Sequence, residues 1–334
     1  MKKFQQILTL ALSLGFLAVF SAWFLIAPDA EESTVERRRL AKRPALSFSS
    51  VTNGSFMNGF EKYMLDQFPL RNGFRGLKAA VNAKVFMKKD NNGLYSVGKH
   101  LSKLDFPTDA ESVDHAARCF RYVYDTYLRN AGTKIYLSVI PDKNTFIASQ
   151  NGYPDKEYKA LTERLRSGFP EAKYIDISGL LSSDDFYYTD SHWRQEGILK
   201  VADEIADKMG AERIGQCEKH DTGVPFYGVY YGQAALPHAP DSLFYLDNAV
   251  IRGLKVYNVE ISSDIPVYDL GAAAGRDPYE MFLGGARSII RITNPNAAQE
   301  RRLIIFRDSF GSSIALYESR RCAVPLLRIG HKQQ

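Results

Sequence analysis

The sequence predicts an α/β layered fold held behind an N-terminal membrane-spanning helix. Three observations lead there. From Asp109 to Met209, segments with helical periodicity alternate with short apolar runs, the order expected of helices and strands packed in layers. An uncharged stretch of bilayer length opens the chain. Near the other end, Leu303-Ile304-Ile305-Phe306-Arg307 has the make-up of a central parallel strand, and it breaks at Asp308-Ser309 ahead of Gly311-Ser312-Ser313 and a helix. With 334 residues, 45% hydrophobic and 24% charged, the chain can bury a substantial core in one large domain or two modest ones.

Residues 1–28 form the predicted anchor. Lys2 and Lys3 precede an uncharged segment from Ile7 to Ala27, and Pro28, Asp29, Glu31 and Glu32 follow it. Positive charge before and acid after favour the amino end inside and the body outside the cytoplasm. A cleaved signal peptide would place the body on the same side, but its apolar region is usually shorter and ends in small residues. No Ala-x-Ala pattern follows here, and Trp23 and Phe24 give the outer end an interfacial character, so an uncleaved anchor is favoured.

Residues 29–50 are charged and lack apolar periodicity, which predicts a juxtamembrane spacer with Arg37-Arg38-Arg39 on a solvated face. Phe56, Phe60, Tyr63, Met64 and Phe68 recur at helical spacing, Pro69 and Gly73 interrupt, and helix resumes from Phe74 toward Phe86. Helices are predicted over 109–130, 158–169 and 195–209. Strands are predicted over 134–140, 173–177 and 288–293. Between about 221 and 265 the pattern changes to aromatic, glycine- and proline-bearing runs, read as a β-rich insertion.

The net charge of +5 lies in local runs, and no basic stripe interleaved with aromatics appears, which argues against nucleic acid as a partner. Cys119, Cys217 and Cys322 lack metal-ligand spacing and read as buried thiols. No second histidine or carboxylate cluster sits at ligand spacing near His192, so no metal is called for.

Two short motifs carry the chemistry. A serine at a strand exit is held proud of the sheet edge, where N–H groups of the incoming helix can stabilise an oxyanion; Ser309 is that serine. Asp-Ser ahead of a helix is equally a capping pattern. In Tyr188-Thr189-Asp190-Ser191-His192-Trp193, the carboxylate of Asp190 is two residues from His192 and can orient one imidazole nitrogen so that the other faces a serine hydroxyl. The alternative is that Asp190 caps the helix near Gln195 and His192 is a surface histidine. Tyr188 and Trp193 are candidates to stack on a sugar, or simply to pack.

These motifs, with Glu36-Arg37-Arg38-Arg39-Leu40-Ala41, the block Phe60 to Arg71, and Ile140-Pro141-Asp142-Lys143-Asn144, resemble the DHHW and alginate O-acetyltransferase-like branch of the SGNH (GDSL) hydrolase superfamily. Thr189-Asp190-Ser191-His192-Trp193 is the signature region, with serine where the pattern has its first histidine, and Arg307-Asp308-Ser309-Phe310-Gly311 is the serine block. The resemblance implies a three-layer α/β/α domain over 51–318 with a mostly parallel sheet and the insertion at 221–265. It also implies Asp190 as orienting acid, His192 as base and Ser309 as nucleophile, with no cofactor.

The implied activity is transfer or removal of acetyl groups on a polysaccharide, with other membrane proteins of an export or modification system as partners. A non-catalytic glycan-binding or assembly component is the alternative. Gly284-Gly285 and Asn294 are oxyanion-hole candidates by residue type, though Asn294 before Pro295 is also a turn residue. Relatives run on past the serine block, whereas this chain ends about 25 residues after Ser309. Residues 319–334 are therefore expected to be an atypical, truncated or frame-shifted tail.

Overall fold

The structure, a computed structural model, describes residues 2–297, 301–318 and 322–328. The chain forms two compact units, Met1–Asn91 with Ala235–Pro237, and Asn92–Ala234 with His238–Gln334.

The first unit opens with α1 (Lys2–Ile26), which is long and apolar enough to cross a membrane and buries none of its residues. A two-residue ladder, β1 (Glu32–Ser33) with β2 (Arg38–Arg39), precedes α2 (Phe48–Thr52), where Ser47 and Ser50 form a capping box. Then come α3 (Ser55–Gln67) and α4 (Arg71–Lys84), parted at Pro69 as the sequence predicts. The blocks 36–41 and 60–71 bind each other. Arg38 forks onto Asp66 (2.8 and 2.5 Å), and the Ala41 N–H donates to the same carboxylate (2.8 Å). Glu36 pairs with Arg71 and Arg75, and the Gln67 amide bridges the backbones at Ala30 and Ala41. Arg38 is thus committed to an ion-pair network rather than lying on a wholly solvated face.

The second unit begins with the hairpin β3 (Leu94–Val97) and β4 (His100–Lys103). Asp109 caps α5 (Ala110–Val123) by accepting the Glu111 and Ser112 N–H groups. β5 (Tyr136–Leu137), α6 (Asn144–Ile147), α7 (Tyr158–Gly168) and β6 (Lys173–Tyr174) follow, with β5 and β6 parallel. These strands are shorter than predicted because side chains take ladder positions. The Tyr158 hydroxyl donates to the Val139 carbonyl (2.7 Å), and Asp176 accepts the Ser178 N–H (2.9 Å).

One 3₁₀ turn at Gln195–Gly197 leads into α8 (Leu199–Met209), which stops at Gly210 in the left-handed region. Residues 218–265, spanning the stretch read as β-rich, supply the strands β7 (Glu218–Phe226), β8 (Asp241–Asp247), β9 (Lys255–Asn258) and β10 (Ser263–Ile265) and also the helices α9 (Val229–Ala234) and α10 (Ala249–Gly253). The remaining elements are α11 (Leu270–Ala273), β11 (Ile289–Thr293), β12 (Arg301–Arg302), β13 (Ile305–Arg307), α12 (Gly311–Glu318) and β14 (Cys322–Arg328).

A mostly parallel sheet was expected. In the largest sheet, ordered β10-β9-β11-β14-β12, the first four strands are mutually antiparallel, while β12 and β13 both run parallel to β14. The four-residue link from β9 to β10 permits only an antiparallel return. The serine-bearing strand, predicted to be central, is β13 and pairs only with β14 among the described residues, which leaves Ile304 and Phe306 about half exposed. Of the expected tail, 322–328 form β14; Arg320, Arg321, His331 and Lys332 lie outside the described residues. Cys119 is exposed rather than buried, and Cys217 is partly buried; both are free thiols. Trp193, Ile198 and Val201 pack with Ile175, Ile177 and Tyr317 in a core shared by α8 and α12.

Candidate active site

Ser309 stands between the end of β13 and the first turn of α12. The Asp308 carboxylate accepts the Phe310 N–H (3.0 Å), so Asp308 does the local capping and leaves the Ser309 hydroxyl for another partner. The junction is tight: a Cβ on Gly311 would lie 2.5 Å from the Arg307 side chain. Arg307 is buried and donates to the Asp308 carbonyl (3.0 Å) and the Ser312 hydroxyl (2.7 Å), fixing strand and helix to each other.

The three sequence-predicted residues come together, although 117 positions separate His192 from Ser309. Asp190 Oδ1 lies 2.6 Å from His192 Nδ1, and His192 Nε2 lies 2.7 Å from Ser309 Oγ. An ionised carboxylate only accepts, so Nδ1–H donates to Asp190 and Nε2 is left to accept the serine proton. The Asp190 carboxylate is fully buried; Oδ1 also accepts the His192 N–H (3.0 Å) and Oδ2 the Val229 N–H (2.7 Å). Its oxygens thus serve the histidine and the first N–H of α9. The imidazole stacks on Tyr279 (3.9 Å between centroids, 15°) and tilts against Phe310.

The Asp190 loop is held from beneath. The buried Lys143 ammonium donates to the carbonyls of Tyr187 (2.8 Å), Tyr188 (3.2 Å) and Asp190 (2.8 Å). Burial pulls its pKa down to about 8, against the favourable charge of Asp190. Asp241 accepts the Tyr188 and Thr189 N–H groups (2.6 and 2.8 Å) and the Thr189 hydroxyl (2.6 Å), while burial raises its own pKa. From α9, the Tyr230 and Tyr231 N–H groups converge on the Thr189 carbonyl, and the Gly228 N–H donates to the Thr189 hydroxyl (2.8 Å). A Cβ on Gly228 would come 2.2 Å from the Thr189 carbonyl oxygen, so only glycine permits this approach.

Trp193 is buried, and its indole N–H donates to the Phe310 carbonyl (3.2 Å) and the Ser313 hydroxyl (2.9 Å). It ties the histidine loop to α12 and is no sugar platform. Tyr188 is half-buried, with its ring edge-to-face against His100. Of the oxyanion-hole candidates, the Gly285 N–H is already bonded to the Phe282 carbonyl, and Asn294 Oδ1 accepts the Asn296 N–H in a turn. Among the described residues, no group of three or more His, Cys, Asp or Glu side chains is placed to hold a metal ion.

Sequence reasoning missed Lys143, Asp241, Gly228 and Tyr279. Lys143 had a signal, a lysine three residues past the apolar run ending at Ile140, inside the block that resembles the family. Tyr279 had none, because its stacking depends wholly on the chain folding back.

No protein-family model matches the sequence, and no significant match to a curated protein was found. Solved structures do match. A DHHW family protein from Eubacterium siraeum aligns at 15% identity with a TM-score of 0.56, covering 72% of this chain and 84% of its own. PatB1 from Bacillus cereus aligns with a TM-score of 0.58 at 14% identity over 72% of this chain and 88% of that one. A second PatB1 structure, with a sulfonyl adduct, gives 0.57 at 15% identity, over 70% and 85%. The chain is a mixed α/β protein with the fold of these structures, and a DHHW family protein stands among its structural neighbours, in agreement with the resemblance read from the signature region.

Proposed function

We propose that the chain is a membrane-anchored serine acyltransferase or esterase, its body outside the cytoplasm, acting on O-acetyl groups of a cell-surface or exported polysaccharide. The observation that carries this reading is the unbroken hydrogen-bonded series from Asp190 through His192 to Ser309, at 2.6 and 2.7 Å. The apolar length of α1 supports the anchor, and the motif resemblance supports acetyl and polysaccharide as the substrate class. A three-layer arrangement of the catalytic domain and partners among membrane proteins of polysaccharide export or modification belong to the same proposal.

Ser309 Oγ attacks the acetyl carbonyl carbon while its proton passes to His192 Nε2. The imidazolium, stabilised by the buried Asp190 carboxylate, returns that proton to the departing alkoxide, leaving acetyl-Ser309. A water or sugar hydroxyl then gives its proton to His192, attacks the same carbonyl, and releases acetate or a new ester as the Ser309 hydroxyl is restored.

The test uses the full chain in detergent micelles with a chromogenic acetyl ester. Ser309→Ala should lower turnover roughly 10⁴-fold, and a labelled acetyl group should be trapped on Ser309 of the parent. A sulfonyl fluoride should modify the same serine; PatB1 is known with a sulfonyl adduct. Equal rates for parent and Ser309→Ala would instead favour the glycan-binding role.

A further inference from the structure

We infer that α3 and α4 form a membrane-embedded shoulder, with the α4 face bearing Leu70, Phe74 and Leu77 lying in the outer leaflet beside α1. This rests on α1 being a spanning helix. The Phe20 ring of α1 stacks on Phe68 (5.4 Å, 4°) and meets Phe74 edge-on (5.7 Å), and Phe24 meets Tyr63 (5.4 Å). Phe20 lies six residues before the end of α1 at Ile26, about 9 Å deeper along the helix axis at 1.5 Å per residue. If α1 spans, whatever touches Phe20 lies below the headgroups as well. That depth matches the roughly 5–10 Å to which in-plane amphipathic helices sink.

The neighbouring side chains fit that position. Phe74 and Leu77 lie one turn apart on α4, and Leu70 is the residue that caps its start; Leu70 and Leu77 are both 60% exposed. Exposed Val85, Phe86 and Met87 continue the apolar character past the end of α4. A water-facing helix of this kind would be a costly apolar patch, whereas in lipid it is matched. The polar residues suit a headgroup layer. Arg71 and Arg75 are engaged by Glu36, but α4 also carries Lys78 and Lys84 and no acid, and Lys88 and Lys89 follow, which favours anionic phospholipid. At the level of Pro28 and Asp29, where the apolar run ends, the Tyr63 hydroxyl donates to Asp29 (2.6 Å), pinning α3 at the interface.

The test reconstitutes the full chain, with its three cysteines replaced by serine, into vesicles of phosphatidylethanolamine and phosphatidylglycerol. Nitroxides are placed singly at Leu77→Cys, at Leu70→Cys, at Leu12→Cys within α1 and at the exposed Lys159→Cys of α7. Lipid burial is read as collision with oxygen exceeding collision with an aqueous nickel chelate. The inference expects residues 77 and 70 to behave like residue 12 and unlike residue 159. Labels at 70 and 77 that report water while residue 12 reports lipid would overturn it and leave the anchor standing. If residue 12 also reports water, the anchor fails and the inference with it. Shielding of 70 and 77 in native membranes but not in pure-lipid vesicles would assign the face to a protein and also overturn the inference.

Discussion

Lys143 shows what one side chain contributes to a site it does not face. Its three N–H groups meet three carbonyls of one loop, those of Tyr187, Tyr188 and Asp190, and that match requires the ammonium form. Replacing it with methionine keeps the length but takes the ammonium donor from the Tyr187 and Asp190 carbonyls, while that of Tyr188 keeps the Leu101 N–H, and the Asp190 loop then loses its floor. On the proposed chemistry, Lys143→Met should lower kcat about 100-fold with KM little changed, since a displacement near 1 Å is enough to misalign a proton relay. Its pKa of about 8 adds a second outcome. Because the folded value lies below the usual 10.5, the folded chain releases this proton first, and linkage makes stability rise with pH between about 8 and 10.5. The neutral amine has only two N–H groups for three carbonyls. Turnover should therefore decline above pH 8 while the urea midpoint does not, and Lys143→Met should lose that alkaline limb; an unchanged profile in the variant would refute the positioning role.

Among the elements, α9 and the glycine before it have a place in the site. Gly228 sits against Thr189 so closely that Gly228→Ala must push α9 off the Asp190 loop, breaking the bonds from Gly228, Val229, Tyr230 and Tyr231. Overpacking of this kind costs about 1–3 kcal/mol, to be read as a lowered denaturation midpoint, with turnover falling at a temperature where the variant is still folded. The catalytic candidates were legible because their chemistry is local: Asp190 and His192 are two residues apart, and Ser309 sits on a recognisable strand exit. Of their supports only Lys143 left a local signal; Gly228 and Asp241 come from other segments, and their roles exist only once the chain has folded. The longer helices α3, α4, α5, α7 and α8 were legible from apolar spacing, whereas α9 and α10, inside the stretch read as β-rich, were not. Strand order was not, because an alternating or apolar run such as 289–293 says nothing of the direction of its neighbour, and the antiparallel returns through β9 and β10 follow from short links within a stretch read only as β-rich.

At the scale of the whole molecule, the response of stability to acid depends on buried groups that prefer to stay neutral. His100 on β4 is the clearest: burial, and secondarily the charge of Lys143, bring its pKa from 6.5 down to about 4, although Asp184 favours the charged form. Protonation would also put a hydrogen on Nδ1, which is buried and has no hydrogen-bond partner among the described residues. The unfolded chain binds a proton at this histidine below about pH 6.5, whereas the folded chain does so only near pH 4. Between those values the unfolded state holds more protons, so stability falls as pH falls through this window and the loss is complete below about pH 4. The buried carboxyls of Glu196 and Asp241 act in the opposite sense, because burial raises them and acid then favours the folded state. The contribution of His100 is therefore isolated by difference. Urea midpoints measured from pH 4 to 7 for the parent and for His100→Gln should diverge, with the parent losing stability more steeply toward acid and the two slopes merging above pH 7. Parallel curves throughout would mean that His100 titrates alike in the folded and unfolded chains, and that its burial leaves its charge unopposed.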